Sequence, residues 1–138
     1  MGKKPIEVVR EIHEAWAGGA GAHDLVAKDL AYVNPANAVE PGTRQGSDTF
    51  NRVRDVYEDF RPQVERMIDL GERVVVIVSG SARTRGSGVN VPIRQGYVWT
   101  VRDGRAVRFE WFTSPEEALA AVGMPGEPQL PADNAPSG

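Results

Sequence analysis

The chain has 138 residues, 41% of them hydrophobic and 25% charged, with a formal net charge of −3 and no cysteine. This is the length and balance of one globular domain with its own core, and an acidic pI near 5.4 supplies no electrostatic footprint for nucleic acid. The lack of cysteine excludes disulfides, thiolate metal sites and thiol nucleophiles, and no apolar run approaches the roughly 20 residues of a membrane helix.

The opening MGKKPIEVV has neither the apolar core nor the cleavage site of a secretory signal, and Ile6 stands where a myristoylation signal needs Ser or Thr. Cytoplasmic residence is therefore expected. From Pro5 to Trp16 the apolar positions Ile6, Val9, Ile12 and Trp16 recur at helical spacing, and the GGAG that follows stops the helix. A second, short helix is expected from His23 to Lys28, with His23 exposed or capping. The segment LAYVNP then reads as a strand ended by Asn34-Pro35. Ser47 can cap a third helix, on which Phe50, Val53, Tyr57 and Phe60 form one stripe and Pro62 fixes the end.

From Val64 the pattern changes to strands. QVERMIDL, a turn at Gly71-Glu72, RVVVIVSGSART, a Gly-rich turn and VNVPIRQGYVWTV lead to an Asp103-Gly104 hairpin turn and RAVRFEWFT. A last helix opens with Ser114 as cap, Pro115 at its first position and Glu117 completing a capping box, and it ends at Gly123. The remaining MPGEPQLPADNAPSG is too rich in Pro, Gly and small polar residues to bury much surface. The expectation is an α+β domain over residues 5–123 with a flexible tail over 124–138.

Within RFEWF, strand alternation puts Arg108, Glu110 and Phe112 on one face and Val107, Phe109 and Trp111 on the other. The second set is a burial face. The first is either solvated or the wall of a pocket. RGSG and SGSAR are not followed by a helix, so they are not phosphate loops, and two separated histidines without clustered acids make no metal site.

The order of elements, with VEPGTRQG, RGSGVNV, YVWTVRDGR and EEALAAVG, resembles the SnoaL-like branch of the nuclear transport factor 2-like superfamily over roughly residues 5 to 124. That branch includes ketosteroid isomerases, polyketide cyclases and limonene epoxide hydrolases. The resemblance implies a cone-shaped, curved antiparallel sheet closed by three N-terminal helices with a short C-terminal helix, an apolar pocket, and a homodimer through the convex sheet face. Fold alone does not fix activity.

Laid against a ketosteroid isomerase, Asn34 falls at the catalytic base, His13 near the hydrogen-bonding tyrosine and Gly96 at the protonated aspartate, so that mechanism is not carried over. Laid against a limonene epoxide hydrolase, Glu110 falls at the pocket acid, whereas Val78 and Gly80 stand where an arginine and a second aspartate are needed. By either comparison Arg108, Glu110 and Phe112 face the pocket. Glu110 then either pairs with Arg108 or Arg94, or stays desolvated as a proton-transfer group. The expected site is Glu110 as general base or acid and His13 donating or relaying a proton, with Trp16, Tyr32, Asn34, Phe50, Arg94, Arg108 and Phe112 contacting a ligand or lining the pocket. Tyr97, Trp99, Phe109 and Trp111 are expected to form the dimer patch. No cofactor or metal is implied. The resemblance implies acid/base chemistry (isomerisation, cyclisation, dehydration or ring hydrolysis) on an apolar oxygenated metabolite such as a polyketide or terpenoid, or else a non-catalytic binding or dimerisation module.

Overall fold

A computed structural model describes residues 3–17, 23–36, 38, 41–46, 57–84, 86 and 88–124. Helix α1 (Pro5–Ala17) buries Val8, Val9, Ile12 and His13 along one stripe. The Lys4 N–H donates to the Glu7 carboxylate at 3.0 Å, placing an acid where the helix dipole favours it. A single 3-10 turn (His23–Leu25) leads into β1 (Val26–Asn34), followed by β2 (Gly42–Gln45), β3 (Tyr57–Leu70), β4 (Arg73–Thr84), β5 (Asn90–Arg102), β6 (Arg105–Phe112) and helix α2 (Pro115–Ala121).

The six strands form one sheet in the order β2-β1-β6-β5-β4-β3. β3 to β6 make the expected antiparallel meander, and the β5–β6 turn has Asp103 and Gly104 at φ 53° and 78°, the left-handed pair a tight hairpin needs. Register shifts in the β3–β4 and β5–β6 pairs bend the sheet. The fully antiparallel expectation fails at one place. β1 runs parallel to β6, with Tyr32 opposite Phe109 and Val33 opposite Glu110, because the outer edge of β6 is open after the hairpin and β1 fills it in the same direction.

Among the described residues one N-terminal helix forms where three were expected. The second reduces to the 3-10 turn, and β1 begins already at Val26. Of the third, residues 47–56 lie outside the described residues, and Tyr57 to Phe60 belong to β3, where Tyr57 pairs with Thr84 and Phe60 with Ala82. Sheet pairing overrides the helical stripe there. Pro62 sits inside this strand opposite Gly80, which is tolerated because β3 is the sheet edge.

α1 lies on one face of the sheet and α2 on the other. Between α1 and the sheet is a core of Val8, Val9, Ile12, Leu30, Tyr32, Val74, Val76, Val78, Tyr97, Trp99, Val101 and Phe109, with Trp16, Met67 and Trp111 packed against it. Beneath α2 is a smaller core of Val75, Ile77, Val98, Ala118 and Leu119, joined by Ile68, Phe112 and Met124. Residues 125–138 lie outside the described residues. Ser114 Oγ accepts from the Glu117 N–H at 3.2 Å, as a cap should. The Glu117 carboxylate accepts from the Thr113 hydroxyl at 2.6 Å. Among the described residues no helix is long and apolar enough to cross a membrane.

Candidate functional site

Alternation along β6 sorts the candidate residues. Phe109 is buried and Trp111 half-buried against the α1 side, whereas Arg108, Glu110 and Phe112 turn to the α2 side. The neighbouring strands extend the first row, because Tyr97 lies opposite Trp111 and Trp99 opposite Phe109. Ring centroids are 4.5 Å apart for Trp99–Phe109, 5.0 Å for Tyr97–Phe109 and 5.2 Å for Tyr32–Phe109, all tilted, as aromatic quadrupoles prefer.

The polar groups of this face are held by the aromatic ones. His13, in the third turn of α1, is only 8% exposed. Its ring stacks on Tyr97 at 5.9 Å and meets Trp16 and Trp99 edge-on at 5.2 and 5.8 Å. The indole N–H of Trp99 donates to His13 Nε2 at 3.2 Å. An indole can only donate, so Nε2 carries the lone pair and the proton of the neutral ring rides on Nδ1. Burial lowers the His13 pKa from 6.5 to about 4, and protonation would also turn Nε2 into a donor facing a donor. His13 is thus neutral at pH 7. Its Nδ1–H has no hydrogen-bond partner among the described residues, and leaving such a buried donor unsatisfied costs about 1–3 kcal/mol.

A second pair repeats the arrangement at the end of β1. The Trp111 indole N–H donates to Asn34 Oδ1 at 2.7 Å, which fixes the orientation of the Asn34 amide and leaves its N–H groups and the second lone pair of Oδ1 for other partners. Tyr97 Oη donates to Gln95 Oε1 at 3.3 Å. Asn34, Gln95, Trp16 and Trp111 are half-buried and form the accessible margin of the cluster.

The α2 face has a different chemistry. Arg108 Nε lies 3.3 Å from Glu110 Oε1, with side chains 45% and 23% exposed. Arg94 pairs with Glu65 at 3.2 Å rather than with Glu110, and hydrogen bonds from Ser79 and then Arg94 hold the Glu65 carboxyl below its usual range. An open groove of about 530 Å³ runs past Leu70, Arg73, Thr100, Arg102, Arg108 and Glu110. Phe112 packs beneath α2.

The expected facing is therefore inverted. Tyr97, Trp99, Phe109 and Trp111 are not an outward patch, because they complete the core under the apolar stripe of α1. Arg108, Glu110 and Phe112 stand on the opposite face, and Glu110 takes the structural alternative of pairing with Arg108. Of the expected site residues, His13, Trp16, Tyr32 and Asn34 share the α1 face. Arg94 does not join them, and Phe50 lies outside the described residues. Among the described residues no group of three or more His, Asp or Glu is placed to hold a metal ion.

The sequence profile of the SnoaL-like domain matches residues 9–109. This chain belongs to the SnoaL-like domain family. Curated proteins offer no match to it. Among solved structures, this SnoaL-like domain is similar to TerC, co-crystallised with polyporic acid, at 24% identity and TM-score 0.67 over 80% of this chain and 91% of that one. It is also similar to a nuclear transport factor 2-like protein of unknown function from Burkholderia pseudomallei, at 25% identity and TM-score 0.69 over 88% and 98%. A third, a protein of ketosteroid isomerase-like fold from Catenulispora acidiphila in complex with trimethylamine, matches at 21% identity and TM-score 0.65 over 97% and 100%.

For this SnoaL-like domain, the residues that sequence reasoning misplaced carried a usable signal. β4 is buried on both faces, from Val74 to Val78, so its parity says nothing. On β6 only the Val107, Phe109 and Trp111 parity is apolar, and a strand's apolar parity must meet the apolar stripe of the long helix. That rule puts Phe109 and Trp111 under α1. Gln95 had no comparable signal, since its part depends on the Tyr97 hydroxyl beside it.

Proposed function

We propose that the SnoaL-like domain binds an apolar, oxygenated small molecule, such as a polyketide or terpenoid intermediate, on the α1 face, at the margin formed by Trp16, Asn34, Gln95 and Trp111. The observation that carries this reading is the coincidence on one face of a continuous aromatic cluster and of two polar side chains, His13 and Asn34, each fixed by a tryptophan. Flat aromatic walls with a few fixed polar groups are what such ligands need. The fold neighbour co-crystallised with polyporic acid makes polyporic acid a first probe.

On this reading the domain is a cofactor-independent catalyst that polarises its ligand, with any proton the ligand loses passing to water or to another group of the ligand itself. His13, neutral near pH 7, polarises a ligand carbonyl in the course of isomerisation, cyclisation, dehydration or ring hydrolysis. Glu110 has no part in the chemistry. A second reading, a non-catalytic binding module, is favoured by one observation: Asn34 occupies the position where the isomerases have a carboxylate, and an amide takes no proton at pH 7. A homodimer through the convex sheet face also stays a proposal, but Tyr97, Trp99, Phe109 and Trp111, packed on the α1 side, do not form its surface.

All three tryptophans of the chain lie in or against the α1-face cluster, so quenching of intrinsic fluorescence reports ligand there. Titration with conjugated ketones, followed by chromatography for product, should show quenching in the wild type and the same quenching in Glu110→Gln. Product would mark the catalyst, and quenching without product the binding module. Loss of quenching in Glu110→Gln would refute the placement of the site.

A further inference from the structure

We infer that the open groove on the α2 side of the sheet is a second binding site, for a small organic anion whose carboxylate or phosphate group sits between Arg73 and Arg108 over the Thr100 hydroxyl. The inference is independent of the ligand reading of the α1 face.

α2 covers only one end of its sheet face. It seats over Gly96 of β5, and Thr100 lies four residues further along the same strand, about 13 Å away. There the face opens into the groove of about 530 Å³, within the size range of small-molecule sites. Strand pairing lays one row of residues across it. Leu70 of β3 is opposite Arg73 of β4, Arg73 is opposite Thr100 of β5, and Thr100 is opposite Arg108 of β6. Directly paired residues share a face, so two arginines flank one hydroxyl with their Cα atoms about 10 Å apart. Each guanidinium has only to lean inward to reach the same oxyanion.

An acid on the next strand would stabilise either arginine, and this row has none. The exposed Arg73 side chain has neither an ion pair nor a hydrogen bond among the described residues. Arg108 is steadied by Glu110, which meets its Nε at 3.3 Å, and its terminal N–H groups remain donors. Arg102 adds a third cation, 3.7 Å from Glu72, with side chains 63% and 65% exposed. Three arginines against two glutamates make the groove net positive in a chain whose net charge is −3. Val107 is an extra residue between the pairs Val101–Ala106 and Thr100–Arg108, a bulge of the kind that re-aims a side chain beside a site. Guanidinium forks match the paired oxygens of a carboxylate or phosphate. Leu70, 37% exposed at the end of the row, gives an apolar wall for the rest of the molecule.

The probes are benzoate, phenyl phosphate and the neutral benzyl alcohol, followed in nitrogen-edited NMR titrations by the Nε–H signals of Arg73 and Arg108 and the backbone amide of Thr100. Both anions should move these signals and benzyl alcohol should not, and the tighter anion distinguishes a carboxylate from a phosphate as the natural group. Affinity should fall severalfold as ionic strength rises from about 0.01 M to about 0.1 M, because exposed charges are screened. Arg73→Gln removes a cation that has no partner to lose, so the fold is kept, and it should weaken both anions severalfold or more. Thr100→Val should weaken them less, and the methyl groups of Val76 and Val78 on the α1 side should not respond. No shift with either anion, equal shifts with benzyl alcohol, or full affinity in Arg73→Gln would overturn the site. Sedimentation in which Arg73→Gln breaks a dimer, with the wild-type Arg73 signal unmoved by either anion, would overturn it as well and make the groove an interface between copies.

Discussion

His13 shows how one residue's protonation is decided by its surroundings. In water an imidazole is half-protonated near pH 6.5. In the fold it is buried among Trp16, Tyr97 and Trp99, no carboxylate hydrogen-bonds to it among the described residues, and its pKa falls to about 4. The unfolded chain then takes up a proton at a higher pH than the folded one does. Stability from His13 is fully present above about pH 6.5 and is lost as pH falls toward about 4. Chemical denaturation at about pH 7.5 and about pH 5 should show a loss of about 2 kcal/mol from this group. Carboxylates titrate over part of the same range, so the contribution is read as the difference from His13→Gln, in which the slope should be correspondingly shallower. Identical slopes in the two proteins would show that His13 is free to protonate in the fold.

At the scale of elements, the contact between α2 and the sheet is set by one glycine. A Cβ added at Gly96 of β5 would collide with the Ala118 side chain and lie 3.3 Å from the Pro115 backbone. α2 can settle on the sheet only because that atom is missing. Gly96→Ala should therefore destabilise the domain by about 1–3 kcal/mol, as overpacking does, measured as a lowered urea midpoint with unchanged slope. No change in midpoint would mean that α2 does not seat there. The same elements show what could be read in advance. α1, the meander and α2 were legible because their periodicity, turn pair and cap act over a few residues, as the Asp103-Gly104 turn and Ser114 do. β1 as a parallel neighbour of β6, and β3 starting at Tyr57, were not, because these are long-range pairings. Nothing within Tyr57 to Phe60 distinguishes a helical stripe from a strand until β4 is beside it.

For the whole molecule, the decisive choice is which sheet face receives the long helix. His13, Trp16, Tyr32 and Asn34 were expected in one site with Glu110, Arg108 and Phe112, and the fold puts the first four on the α1 face and the other three on the opposite one. Glu110 was misplaced because an acid among aromatic residues reads as a pocket acid when the facing of the sheet is taken from distant relatives. The sheet carries a built-in reporter of that choice. Along β4, Val74, Val76 and Val78 belong to the α1-side core and Val75 and Ile77 to the α2-side core, so successive methyl groups sample opposite faces. Methyl-resolved NMR during titration with 1,4-naphthoquinone is the most direct measurement. Shifts are expected to concentrate at Ile12, Val76 and Val78, with Val75, Ile77 and Val98 unmoved. Shifts confined to Val75, Ile77 and Val98 would place the ligand on the face of Arg108 and Glu110 and contradict it.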